Sequence, residues 1–156
     1  MENTSLPRVI DNLAEAMLGV WKLKSRIDID GQGMRRIDPI LGADPLGVLC
    51  FGPGYFAAQF MKRDRSSRRD TAGPVQGANN SSAVDGYDAY FGTYLLDGAA
   101  GRLTVRLDGS ISPANIGSTF VRDIRIRENE LFIQLPTTAA DGTPVTRTLV
   151  FSRAVG

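Results

Sequence analysis

The stretch Leu18–Asp30, LGVWKLKSRIDID, decides how the chain is read. From Trp21 onward its residues alternate. Trp21, Leu23, Ser25, Ile27 and Ile29 fall on one side, and Lys22, Lys24, Arg26, Asp28 and Asp30 on the other. A period of two is that of a β-strand with one dry and one wet face. Just upstream the period is helical: Leu6, Val9, Ile10, Leu13, Met17 and Leu18 recur at steps of three and four, after Ser5 and Pro7 as cap and first turn. The spacing predicts a short amphipathic helix over 6–17, its stripe covering one mouth of the body that follows or making a dimer contact.

Downstream the strand pattern repeats. LGVLCFGPGYFAAQFM reads as two strands about Gly52-Pro53-Gly54. YDAYFGTYLLD, GRLTVRLDG, STFVRDIRIRE, NELFIQLP and PVTRTLVFSR follow, separated by Gly, Asp, Asn and Pro turns. Eight strands in succession with no crossover helix predict an antiparallel meander. Its edges are managed either by two packed sheets or by closure, and the short consecutive turns favour an all-β, eight-stranded antiparallel up-and-down barrel with a short N-terminal α-helix. At that strand number the interior holds packed side chains or one small ligand.

Residues 62–86 carry almost no large apolar side chain, so this segment is read as a lid or as a disordered excursion. Its Arg63, Arg65, Arg68 and Arg69 alternate with Asp64 and Asp70, fitting a solvated mixed-charge loop or an anion clamp. The 156 residues fit one domain, 1–156. Eighteen basic against seventeen acidic residues argue against a nucleic-acid partner. No stretch approaches a membrane span or a signal peptide, and Cys50 stands alone in an apolar run, which together predict a cytoplasmic protein. The absence of histidine removes His-based triads and histidine metal sites, so no metal and no cofactor is expected.

Gly19-Val20-Trp21 at the start of the first strand after a short helix, with Arg153 near the end of the last, resembles the signature of lipocalins and their calycin relatives. GYFAAQFMKRDRS (Gly54–Ser66), AYFGTYLLD (Ala89–Asp97) and DGSISPANIG (Asp108–Gly117) are similar to recurring phrases of the bacterial and fungal lipocalin-like domain family. The Thr-Asp-Tyr motif of secreted lipocalins is absent, as are a disulfide pair and an export signal, so transport between cells is not implied. The resemblance implies a barrel floor of Gly19, Trp21 and Arg153, with the guanidinium packed over the indole.

Alternation then nominates ligand-binding residues. Arg122 shares a face with Phe120, Ile124 and Ile126, where an inward guanidinium either grips a carboxylate, phenolate or carbonyl of a ligand or meets a partner carboxylate. Gln59 shares a face with Tyr55, Ala57 and Met61 and either bonds a ligand or looks outward. Tyr90 and Tyr94 offer apolar area with a polar tip, as ligand contacts or as core, and Asn115 lies in a turn near the mouth. Small residues at Ser25, Ala57, Ala58 and Gly92 suggest a void. The expected function is binding of one small hydrophobic or aromatic molecule. The alternative is a cofactor-independent isomerase or cyclase acting on a small hydrophobic metabolite of secondary metabolism, which leaves no motif and no assignable catalytic residue. A filled barrel acting as a structural or dimerising protein is the third reading, and a homodimer is compatible with all three.

Overall fold

The computed structural model describes residues 13–65 and 86–154. A short helix, α1 (Leu13–Ala16), leads into nine strands: β1 (Gly19–Asp30), β2 (Arg35–Arg36), β3 (Leu46–Gly52), β4 (Tyr55–Met61), β5 (Tyr87–Asp97), β6 (Arg102–Ser110), β7 (Thr119–Arg127), β8 (Glu130–Thr138) and β9 (Pro144–Arg153). Eight of them form an up-and-down antiparallel barrel, closed by the pairing of β9 with β1; the two-residue β2 only extends the open end of β1. The predicted helix start, at Leu6, Val9 and Ile10, and residues 66–85 of the predicted lid, with Arg68 and Arg69, lie outside the described residues.

The strands form where the alternation is cleanest. Phe56, Ala58 and Phe60 of β4, Leu103, Val105 and Leu107 of β6, and Leu131, Ile133 and Leu135 of β8 all turn inward and are buried. The hairpin between β3 and β4 turns on Pro53 and Gly54, the latter at φ 78°, which matches the proline-then-glycine order of a type II turn.

Two bulges break the regularity. In β1 the register against β9 slips between Leu23 and Ser25, inserting Lys24 as the extra residue. Trp21 and Leu23 face inward before it; Arg26 and Asp28 face inward after it, opposite Leu149 and Arg147. Ile29, expected on the dry face, is exposed, and the charged residues expected in water lie inside. The second slip lies between Phe91 and Gly92, opposite Asp108. A Cβ built on Gly92 would sit 1.8 Å from the Arg106 carbonyl oxygen, so this glycine permits a close strand approach and opens no void. The other small residues correct the same expectation: Ala57 points outward and Ser25 sits at the bulge, which leaves Ala58 facing the interior.

One end of the barrel is closed. Trp21 is fully buried there, its Nε1 donating to the Met17 carbonyl at 2.9 Å, with Met17 and Leu13 packed in the same cluster. Arg153 lies over the indole with its guanidinium carbon 4.1 Å from the ring centroid. It also donates to the carbonyls of Leu18 (3.1 Å) and Ala16 (2.5 Å), tying α1 to the last strand. Gly19, at φ 116°, lets the chain enter β1 directly beneath that guanidinium, where a Cβ would stand 3.4 Å from its Nη1.

Candidate functional site

From the floor upward the interior changes character. Its lower part is aromatic and aliphatic: Phe51, Phe56, Phe60 and Phe151 with Leu49, Leu103, Val105 and Ile133. Above them runs a polar belt made by the middle and outer thirds of the strands. Arg26 and Asp28 come from β1, Asp88 and Tyr90 from β5, Arg122 from β7 and Arg147 from β9. The inner chamber, about 60 Å³, is lined by the apolar set together with Arg26, Asp88, Tyr90, Arg122 and Arg147. It meets a wider mouth of about 440 Å³, bounded by Ile40, Leu41, Ser112, Asn115, Phe120 and Thr137. A mouth of that size is in the range of small-molecule sites, while the inner chamber accepts a single ring or chain end.

Three of the belt's charges are paired, one of them with a carboxylate of the connection after β2. Arg147 holds Asp28 with two bonds, Nε to Oδ1 at 2.8 Å and Nη2 to Oδ2 at 3.0 Å, and Asp28 is 5% exposed. Arg26 meets Asp38 at 3.2 Å. Asp38 in turn accepts from the backbone amides of Ile40 and Leu41, so this pair anchors the segment that brings buried Leu41 across the mouth. Burial works against the Arg147 charge, but the bonds to Asp28 outweigh it and raise its pKa. Burial, helped by Arg147, lowers that of Arg26.

Arg122 and Asp88 are different. Among the described residues, no acidic group lies within ion-pair distance of Arg122 and no basic group within that distance of Asp88. The Arg122 guanidinium stands 5.2 Å over the Phe120 ring and beside Tyr90; burial lowers its pKa, with Tyr90 opposing. Burial pushes the Asp88 carboxyl above the usual range, against the pull of Arg26, the Ala89 amide and Arg147. The Tyr90 phenol is likewise raised by burial.

The nominated residues separate accordingly. Arg122, Tyr90 and Phe120 meet at the belt, with Asn115 above them on the rim. Tyr55 and Gln59 turn away from the cavity: Tyr55 is 61% exposed, and Gln59 accepts a hydrogen bond from the Tyr87 hydroxyl at 2.5 Å on the outer wall. They occupy the opposite face of β4 from Phe56, Ala58 and Phe60. Tyr94 belongs to the floor, donating to the Gly52 carbonyl at 2.7 Å and packing edge-on against Phe51.

The residues not nominated are Arg26, Asp28, Asp88 and Arg147. Alternation alone places Arg147 with Val145, Leu149 and Phe151, and Asp88 with Tyr90, so both were readable. Arg26 and Asp28 were hidden by the bulge. Among the described residues no cluster of Cys, Asp and Glu could hold a metal ion, and no helix is long and apolar enough to cross a membrane.

A search of curated proteins finds no match to the chain. The sequence model of one family, described as a lipocalin-like domain, matches residues 18–154, from the residue before Gly19 to the residue after Arg153. That span contains every strand of the barrel, both halves of its floor and the whole polar belt, and the chain therefore belongs to the lipocalin-like domain family.

Proposed function

We propose that the barrel binds one small apolar or aromatic molecule bearing a polar head. The ring or chain end enters the inner chamber among Phe51, Phe60 and Val105, and the head rests at the belt. The observation that carries this reading is Arg122, a guanidinium directed into a largely apolar barrel with no carboxylate partner among the described residues. A buried cation is costly unless a partner meets it, and a carboxylate, phenolate or carbonyl of a ligand meets that need. Trp21, the only tryptophan, reports occupancy through its fluorescence. Titration with N-phenyl-1-naphthylamine should quench it saturably, and Val105→Trp, which fills the chamber, should abolish binding of the dye measured by its own emission. Dye binding unaffected by Val105→Trp places the ligand elsewhere and refutes the reading.

The second reading, a cofactor-independent isomerase or cyclase, is favoured by one arrangement. The Asp88 carboxylate, the Tyr90 hydroxyl and the Arg122 guanidinium face one cavity, placing a proton acceptor, a proton donor and a fixed cation around one bound molecule. Chemical change in a titrated ketone or polyene, lost in Asp88→Asn with binding retained, distinguishes it from simple binding.

A further inference from the structure

We propose that this cavity takes an anionic amphiphile together with one proton, the anion lying on Arg122 and the proton going from solvent to Asp88. The proposal rests on the reading of the barrel as a small-molecule binder and adds the ligand's charge class.

The argument is one of charge balance in a confined space. Among the described residues, the groups lining the cavity, taken with the Asp28 that Arg147 holds, are three cations, Arg26, Arg122 and Arg147, and three carboxylates, Asp28, Asp38 and Asp88. Two pairs are closed, Arg147 with Asp28 and Arg26 with Asp38. The third cation and the third carboxylate stand apart in the same cavity, balancing it without contact. An anion arriving on Arg122 neutralises the one of these three guanidinium groups that lacks a carboxylate among the described residues and leaves Asp88 as an excess negative charge lining the same cavity. Two like charges sharing a partly buried site raise each other's tendency to bind a proton, so one of them takes it. For a strongly acidic head group that one is Asp88. Once protonated, the carboxyl also becomes a hydrogen-bond donor toward the bound head group.

The surroundings of Asp88 support the assignment. Among the described residues, Arg26 of β1, Asp38 of the following connection, Tyr87 and Tyr90 of β5, Arg122 of β7 and Arg147 of β9 are the charged and titratable groups that share its cavity, with Asp28 held by Arg147; neighbouring Phe60 and Leu107 are uncharged. Burial already raises its pKa before any ligand binds, so the field of a bound anion adds to a shift in the same direction. The chain has no histidine, which leaves the range from pH 5 to 7 free of other side chains with ordinary pKa values there.

The test uses two dyes of nearly the same shape: 8-anilino-1-naphthalenesulfonate, whose sulfonate stays ionised throughout, and its neutral parent N-phenyl-1-naphthylamine. Affinities are read from dye emission and Trp21 quenching between pH 5 and 8. The expected result is that the sulfonate binds on the order of a hundredfold more tightly at pH 5 than at pH 8, while the neutral dye shows no such slope. Asp88→Asn should bind the sulfonate tightly at every pH, and Arg122→Gln should lose the sulfonate while keeping the neutral dye. Calorimetric titration of the unaltered protein in two buffers of different ionisation enthalpy should show close to one proton taken up per sulfonate bound near neutral pH, a readout that needs no variant. A flat sulfonate profile with no proton uptake, or a slope that survives Asp88→Asn, overturns the proposal while leaving the binder reading intact. Failure of both dyes to enter the barrel overturns both.

Discussion

Replacing Arg153 by alanine tests the floor of the barrel. The guanidinium does three things at once: it stacks on Trp21 at 4.1 Å, and it donates to two carbonyls, Leu18 at 3.1 Å and Ala16 at 2.5 Å. The stacking is partly shielded from water and contributes about 1–2 kcal/mol. Each hydrogen bond contributes about 0.5–1.5 kcal/mol, less than a fully buried charged donor would, because the two carbonyls are only half-buried and water replaces the donor in part. The variant should therefore lose about 2–5 kcal/mol. For a chain of this length that corresponds to a fall in Tm of roughly 4–20 °C. Urea unfolding followed by Trp21 emission measures it directly, and an unchanged m-value shows that the denatured state is not the cause. Arg153→Lys should fall between the two, since an ammonium keeps the charge but cannot stack and reach both carbonyls together. Pairing Arg153→Ala with Trp21→Phe in a double-mutant cycle should reveal coupling of at least about 0.5 kcal/mol. A loss below about 0.5 kcal/mol for Arg153→Ala, or strict additivity in the cycle, refutes the account of the floor.

Asp88→Asn should stabilise the ligand-free protein at neutral pH. Burial raises the native pKa of Asp88 above its unfolded value, so the native state binds the proton more tightly and stability falls as pH rises through that window; the variant's advantage should be present at pH 7 and vanish near pH 4 in denaturation experiments. Gly92→Ala should be severe, about 3 kcal/mol or more, because its Cβ would meet the Arg106 carbonyl oxygen at 1.8 Å and neither backbone can withdraw without breaking the β5–β6 ladder; a thermal melt within 2 °C of the parent, about the shift of a 1 kcal/mol change, would contradict this. Asp141, in the β8–β9 turn, has its pKa pulled down to about 2 by the Thr143 hydroxyl and amide and by Arg36. Its contribution is present above the unfolded carboxylate pKa and disappears as pH falls toward 2, so Asp141→Ala should lower the denaturation midpoint at pH 7 and make no difference near pH 2.

The strands were legible because their alternation and turn residues agree: β4, β6, β8 and β9 read as strands from the sequence and are strands in the structure. Gly19, Trp21 and Arg153 were legible through a shared motif rather than through any local pattern. The polar belt was only half legible. Arg122 followed from its apolar neighbours on β7, and the same reasoning extended to β9 would have added Arg147. Gln59 and Tyr55 were misplaced because the small size of the alanines outweighed the stronger signal, the phase set by Phe56 and Phe60. Arg26 and Asp28 were out of reach. A bulge depends on how β1 and β9 coil around each other, and KLKSR carries no residue that announces one.

The extra residue in β1 decides what kind of solvent the lumen offers. Were β1 to run without the bulge, its alternation unbroken from Trp21, the outer half of the strand would turn over by one side chain, putting Arg26 and Asp28 outside and Ile27 and Ile29 in. Arg147 would then lose its counter-ion, and a selective vestibule would turn into a greasy one with a stranded positive charge. On this scaffold one inserted residue therefore does more to set the character of the lumen than several point substitutions would.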